Sequence, residues 1–361
     1  MAVAGEGLGA HTRSEILSQP RCWAECLAAL DAQGQLRAVS QRAREAAEWL
    51  FIGCGSSYYV ALSAAASWTA LTGLRARALP ASELLLFPGL VLANSAPCQP
   101  VLISRSGHTS EVLKVAELLE LRQNIRSLAI TCATHQPLEE ISSVTLYLLP
   151  ADEQSMVMTR SFTSMLLGLQ ALAAEWGQQP NFAAALRQLP SQTQPRLEEW
   201  AGHLEAFVAA HTFADYVFLG QGPYFGVASE GMLKVKEMSC SYAQCFHTLE
   251  FRHGPKAIVS PETLVAFLLS ESGYEAEREV LEEVKGLGAT TLVVTNRADA
   301  ATRRAADLLI ELNLSVEEYA RLAAFALPGQ LLGLHTGLKK GYDPDRPRHL
   351  SRVVILNEHR N

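Results

Sequence analysis

The chain has 361 residues, of which 48% are hydrophobic and 19% charged, and its net charge is −7. That length suits two α/β domains better than one core, and the composition excludes a disordered chain. The acidic balance argues against nucleic-acid binding by a basic surface and leaves any anionic substrate to be drawn in by local groups.

Seven scattered cysteines (Cys22, Cys26, Cys54, Cys98, Cys132, Cys240 and Cys245) include no CxxC pair. The pattern points to buried thiols in a reducing cytosol, not to a disulfide framework or a zinc site. No basic region followed by an apolar core marks a signal peptide, and no apolar run is long enough to span a bilayer. A cytoplasmic protein without a metal is expected.

In chain order, residues 1–10 are rich in Gly and Ala and are expected to be loose. From Thr12 to Glu48 the pattern is helical, with Ile16, Leu17, Cys22, Trp23, Cys26, Leu27 and Leu30 at three- and four-residue spacing, and Ser14 as a candidate cap. Trp49-Leu50-Phe51-Ile52 is the first clear strand. It runs into Gly53-Cys54-Gly55-Ser56-Ser57 and a helix rich in small residues, Tyr58 to Leu71. The glycines allow a tight turn and a close backbone approach to a ligand. The dinucleotide fingerprint is incomplete, because its third Gly and its acidic partner are missing.

Arg75 to Ala78 reads as a short strand, and Ala81 to Leu86 as a helical piece. Val101-Leu102-Ile103 is a strand that breaks into Ser104-Arg105-Ser106-Gly107-His108-Thr109. The pattern from Glu111 to Leu119 is again helical. A turn of hydroxyls at a helix N-terminus suits a phosphate, although Ser and Thr also serve there as plain caps. Strands are expected at Ser127–Cys132 and Val144–Leu149, an irregular polar stretch from Ala151 to Arg160, and a helix from Phe162 to Trp176. The alternation is that of a parallel sheet with helices on both faces. The Pro-bearing stretches at 178–180 and 190–195 flank a helix and mark the expected domain junction, with a second helix from Arg196 to Ala210.

The second half repeats the first. Gly222 follows Gly55 by about 167 residues, Gly273 follows Gly107 by about 166, and Thr295 follows Thr131 by about 164. Two copies of one α/β unit are expected. The second copy's version of the hydroxyl turn, Ser270-Glu271-Ser272-Gly273-Tyr274-Glu275, carries two carboxylates that would repel an anion. Its contribution is sought instead on the helix after Gly222, where Glu230, Lys234 and Glu237 share a face. That face is either a solvated ion-pair surface or a proton-transfer site. Two His and a Glu between His247 and His253 do not match the helical spacing of a metal pair.

Together the segments GCGSSYY (53–59), ISRSGHTSE (103–111), MTRSFT (158–163), SEGMLKVKE (229–237), EFRHGPKA (250–257) and KKGYDPDRPRHLSRVV (339–354) resemble the sugar isomerase (SIS) family. The likeness is closest to the isomerase half of glucosamine-6-phosphate synthase, and it runs in order through nearly all of the chain after Trp49. It implies an α/β fold of two tandem SIS subdomains, each a parallel sheet flanked by helices in three αβα layers. The expected divisions are a helical segment over 1–48, a first subdomain over 49–178, and a second over 196–361 with the C-terminal tail.

The resemblance implies a phosphosugar held by Ser57, Ser104, Arg105, Ser106 and Thr109, with Ser56 near the sugar hydroxyls. It makes Glu237 the base that moves a proton between C1 and C2, Lys234 the lysine on the same helix face, and His253 the ring-opening histidine. In the family that histidine reaches in from a partner subunit, so a homodimer is expected. Two departures stand out. About 48 residues precede the first strand, too few for a glutaminase domain, so amination with glutamine is not expected. Arg352 stands where the family's tail lysine forms an imine, and a guanidinium stays protonated. It is therefore expected to bind substrate only. Arg105 replaces a Gln and adds charge toward the phosphate.

These readings lead to a cofactor-free deaminase/isomerase of an aminosugar 6-phosphate such as glucosamine 6-phosphate. The alternatives are a fructosamine-6-phosphate deglycase, a simple aldose–ketose isomerase, and a sugar-phosphate sensor without turnover. No helix-turn-helix precedes the pair to favour the sensor.

Overall fold

The computed structural model describes residues 7–32, 34–42, 46–93, 97–122 and 124–356. The helices α1 (Ala10–Leu17), α2 (Gln19–Ala32) and α3 (Gln35–Arg42) open the chain. The first copy follows as β1 (Glu48–Gly53), α4 (Ser56–Thr72), β2 (Arg75–Pro80), α5 (Ala81–Leu86), α6 (Pro88–Val91), β3 (Cys98–Ile103), α7 (Ser110–Glu117), β4 (Leu128–Thr131), α8 (Pro137–Ile141), β5 (Val144–Tyr147) and α9 (Arg160–Trp176). The helix α10 (Pro180–Ala210) leads to the second copy. That copy contains β6 (Asp215–Gly220), α11 (Tyr224–Ser239), β7 (Tyr242–His247), β8 (Thr263–Leu268), α12 (Tyr274–Gly286), β9 (Thr290–Thr295), α13 (Ala300–Ala305), β10 (Leu308–Glu311) and α14 (Leu322–Lys339).

Two compact units result. One comprises Arg21–Asp152, Arg160–Gln188 and the tail from Ser351. The other comprises the N-terminal residues to Pro20, Glu153–Thr159 and Leu189–Leu350. Each holds one five-stranded parallel sheet, ordered β2-β1-β3-β4-β5 in the first and β7-β6-β8-β9-β10 in the second. Position for position the two orders are the same, so the repeat read from the turns is a repeat of whole sheets.

The cores are repeated as well. In the first unit Leu50, Ile52, Leu102 and Ala129 pack with Val112, Val115 and Leu119. In the second, Val217, Leu219, Val265, Phe267 and Val293 pack with Val280, Leu281 and Val284. Central strands covered on both faces read as continuous apolar runs, which is why Trp49–Ile52 and Tyr216–Leu219 are recognisable from sequence.

Several expectations are corrected. The loose start lies mostly outside the described residues, and Ala10 already opens α1. Ser14 lies inside that helix, whose N-cap is Gly9. The cap is supplied from far along the chain. The Asp343 carboxylate accepts from the Gly9 N–H, and Asp345 accepts from the His11 and Thr12 N–H groups and the Thr12 hydroxyl. The DPD of the tail motif therefore places negative charge at a helix N-terminus, where the dipole favours it. The Pro-bearing stretches do not separate two helices, because α10 runs unbroken through Pro190 and Pro195. Each Pro removes one backbone hydrogen bond, but Phe182, Leu186, Leu189, Leu197, Trp200 and Leu204 are buried at helical spacing and hold the helix. The chain passes from one unit to the other inside it, at Gln188–Leu189.

Candidate active site

In the first sheet β1 and β3 are neighbours, and the connections leaving their C-terminal ends run to opposite sides of the sheet order. Such a reversal leaves a crevice at the strand ends, the usual ligand position in an open α/β sheet. Both predicted hydroxyl turns end there. The first opens α4 after Gly53, where a Cβ would lie 2.5 Å from the Ser57 carbonyl carbon, so only glycine allows this close strand-to-helix turn. Ser56 and Ser57 are buried at the start of that helix.

The second turn follows β3. Ser104 is buried, and its hydroxyl accepts from the Gly107 N–H at 3.1 Å and lies 3.1 Å from the Thr109 hydroxyl. The Ser106 hydroxyl accepts from the His108 N–H at 3.2 Å. Gly107 has φ +66°, and a Cβ there would meet Gln136 at 2.6 Å. Arg105 is buried, its carbonyl accepting from the Cys132 N–H and the Thr131 hydroxyl. Five side chains at this crevice, from Ser56, Ser57, Ser104, Ser106 and Thr109, offer hydroxyls, and Arg105 adds a fixed cation.

The tail lies on the same turn. The Arg105 guanidinium donates to the Arg352 carbonyl at 3.2 Å, and the Ser110 N–H donates to the Val354 carbonyl. Arg352 thus meets the turn through its backbone. Its side chain, 47% exposed, pairs with Asp152 at 2.7 Å.

The second unit carries the ionisable cluster. On α11 the Lys234 ammonium lies 3.2 Å from Glu230 and makes a close ion pair with Glu237. The Lys234 and Glu230 side chains are 0% and 1% exposed and Glu237 is 17% exposed, which excludes the solvated ion-pair surface. Burial pulls the Lys234 amine toward neutrality, but the two carboxylates outweigh it and raise the amine above the ordinary lysine value. Lys234 is therefore a held ammonium.

The burial of Lys234 comes from α14, whose glycines at 329, 333 and 337 form a stripe. A Cβ at Gly329 would lie 2.9 Å from Gly231, one at Gly333 would lie 2.8 Å from the Lys234 carbonyl oxygen, and one at Gly337 would lie 2.3 Å from that of Met238. The two helices meet backbone to backbone around Lys234. Gly333→Ala is expected to cost about 1–3 kcal/mol of stability through overpacking, read as a lower urea midpoint, with activity falling as the Lys234 turn is displaced.

Glu237 lies 13 residues along α11 from Tyr224, about 20 Å at 1.5 Å per residue. It therefore stands at the opposite end of that helix from the strand-end turn. His253 follows the single-turn helix Glu250–Arg252 and is exposed, its N–H donating to the Glu250 carbonyl.

The second copy's own turn departs from expectation. Glu271 turns away to pair with Arg321 and accepts from Asn296, and the Glu318 carboxylate occupies the turn. Sequence reasoning missed Glu318 because it lies 43 residues beyond the end of the motif, in a polar stretch without periodicity.

A groove of about 670 Å³ lined by Leu30, Arg37, Glu175 and Arg187 among others holds none of the predicted residues. Its Asp31–Arg187 pair is half exposed. Among the described residues no three His, Cys, Asp or Glu side chains are grouped as a metal would require, and no helix is long and apolar enough to cross a membrane.

Comparison with known proteins agrees with this architecture. The chain is 26% identical over 336 residues to the glutamine–fructose-6-phosphate aminotransferase (isomerizing) of Methanothermobacter thermautotrophicus, covering 92% of this chain and 54% of the relative. It is 29% identical to the enzyme of the same name from Xylella fastidiosa, covering 95% and 58%. The chain thus spans little more than half the length of these relatives. Among solved structures, a glucosamine-6-phosphate deaminase from Thermotoga maritima superposes with a TM-score of 0.77 at 28% identity, covering 96% of this chain and 100% of the other. A tagatose-6-phosphate ketose/aldose isomerase from Escherichia coli shares the fold with a TM-score of 0.82 at 24% identity, covering both chains fully. The SIS domain model matches twice, over residues 44–175 and 214–332, once on each sheet. The chain belongs to the SIS domain family.

Proposed function

We propose that the protein is a phosphosugar isomerase/deaminase that converts an aminosugar 6-phosphate, glucosamine 6-phosphate or a close relative, into the ketose phosphate and ammonia. The observation that carries the reading is the buried Glu230–Lys234–Glu237 cluster. A carboxylate beside a fixed ammonium, itself partly open to solvent, is a placed proton acceptor. The deaminase likeness at 28% identity supports the same reading.

In this scheme Ser57, Ser104, Ser106 and Thr109, with Arg105, take the phosphate and position the reacting carbons, and Ser56 lies near the sugar hydroxyls. His253 assists opening of the sugar ring. Its exposure on a turn supports its entry from the partner subunit of a homodimer. Glu237 removes the C2 proton of the open-chain aldosamine, the C2–H electron pair becomes the C1–C2 double bond, and the C1 carbonyl oxygen takes a proton from solvent, giving an enolamine. The same C2 proton returns to C1, and the nitrogen gives a proton back to solvent, leaving an imine at C2. Water adds to C2, the C–N bond breaks, ammonia leaves, and the ketone remains. The Lys234 ammonium is paired with the Glu237 carboxylate before the transfer. As a protonated amine it forms no imine with the sugar, and neither does Arg352, so the path is acid–base and needs no cofactor. None of the seven cysteines is in a disulfide, which supports a reducing, cytoplasmic setting.

The test is ammonia release from glucosamine 6-phosphate by the purified protein in a coupled assay. Release that saturates with substrate is expected. No release, together with interconversion of an unaminated hexose phosphate, would replace deamination by simple isomerisation.

A further inference from the structure

The second copy's turn sits at its own strand-order reversal, between β6 and β8, where the first copy has Arg105 and Ser106. Four donors converge there on one carboxylate. Glu318 Oε1 accepts from the Glu271 N–H at 2.7 Å and the Ser272 N–H at 3.1 Å, and Oε2 accepts from the Ser272 hydroxyl at 2.6 Å. The hydroxyl of Tyr224, a residue 1% exposed, points at Oε1 from 3.5 Å. Paired N–H groups, a hydroxyl and a buried phenol around two oxygens are what an oxyanion requires.

The surrounding charges fit the same account. The Arg321 guanidinium is held by Glu271 and by the Val316 carbonyl. Glu277 occupies the other side of the turn, accepting from the Ser270 N–H and hydroxyl. Glu318 is therefore the one carboxylate placed where a ligand's oxygens would lie.

We propose that Glu318 is a built-in substitute for phosphate, which keeps the second copy's anion seat filled and confines phosphosugar binding to the first copy. The seat is an intact oxyanion site, and a phosphate or phosphate ester enters it once the carboxylate is removed. Because Glu237 lies at the far end of α11 from this turn, anion binding here would hold a sugar away from the proposed base. Filling the seat excludes that unproductive mode. The inference rests on the repeated sheet order and the Glu318 hydrogen bonds, and it stands whether or not the chain deaminates aminosugars.

The experiment compares the parent with Glu318→Ala and Glu318→Gln, using tungstate as the crystallographic probe and inorganic phosphate in solution. The alanine variant is expected to show one additional tungstate peak per chain, within hydrogen-bond distance of the Ser272 N–H and hydroxyl. Phosphate should raise its apparent melting temperature more than the parent's. The glutamine variant, whose amide still fills the seat, should match the parent. Glu318→Ser serves as a second small replacement. No added peak in either small variant would overturn the proposal, as would failure of both to fold in phosphate buffer, where phosphate should fill the seat.

Discussion

Glu237→Gln is expected to lower kcat by about 10²–10⁴-fold, the usual share of a positioned proton-transfer group, while phosphosugar binding persists. The substitution keeps the shape of the side chain and removes its capacity to accept a proton. Lys234 would then face a neutral amide while keeping its pair with the fully buried Glu230. Thermal-shift titration with the phosphosugar should give a response like the parent's, because the hydroxyl turn belongs to other residues. Turnover close to the parent's would remove Glu237 from the reaction. Lost turnover together with lost binding would indicate structural damage instead. A protein that only senses phosphosugars would show neither change.

Lys234→Met carries the second large effect. The methionine fills a similar volume but leaves two carboxylates without their cation. Removing one partner of a buried ion pair costs about 3–5 kcal/mol, so the urea midpoint should fall steeply. Because the Lys234 amine is raised above its ordinary value in the folded protein, its contribution is fully present below the ordinary lysine pKa. It is lost only as pH rises through the raised value. The destabilisation should therefore be nearly constant across neutral pH. Adding Glu230→Gln to Lys234→Met should recover part of the stability, since one uncompensated charge disappears, but not the activity. Neighbouring groups of this kind are coupled, and the double variant measures that coupling. If Lys234→Met is as stable as the parent, the cluster does not hold Glu237 in the way described.

Much of this was legible in the sequence, and the reasons are specific. The central strands are covered on both faces and so appear as unbroken apolar runs, which exposed the 167-residue repeat. The pairing of Lys234 with Glu237 followed from their three-residue spacing on a helix. The burial of that pair did not, because the residues that cause it lie on α14. In sequence, Gly329, Gly333 and Gly337 carry no mark of their role, and only the apposed backbone of α11 shows them to be a packing surface. The strands β7 and β10 were missed for a related reason. Each lies at a sheet edge, and Tyr242–His247 includes Gln244 and His247 where a central strand would be apolar. The prolines of α10 misled in the other direction, since buried side chains at helical spacing outweigh two lost backbone bonds. Arg352 presents its carbonyl to Arg105 and its guanidinium to Asp152, a distinction that residue identity does not contain.

The most direct measurement is a crystal structure of the Glu237→Gln variant with glucosamine 6-phosphate bound. The account predicts the phosphate on Ser104, Ser106 and Thr109 beside Arg105, with C1 and C2 of the same molecule about 3–3.5 Å from the side chain at position 237, the separation at which proton transfer is set up. Phosphate bound to that turn with C1 and C2 out of reach of position 237 would contradict it, and so would a sugar bound at any other place.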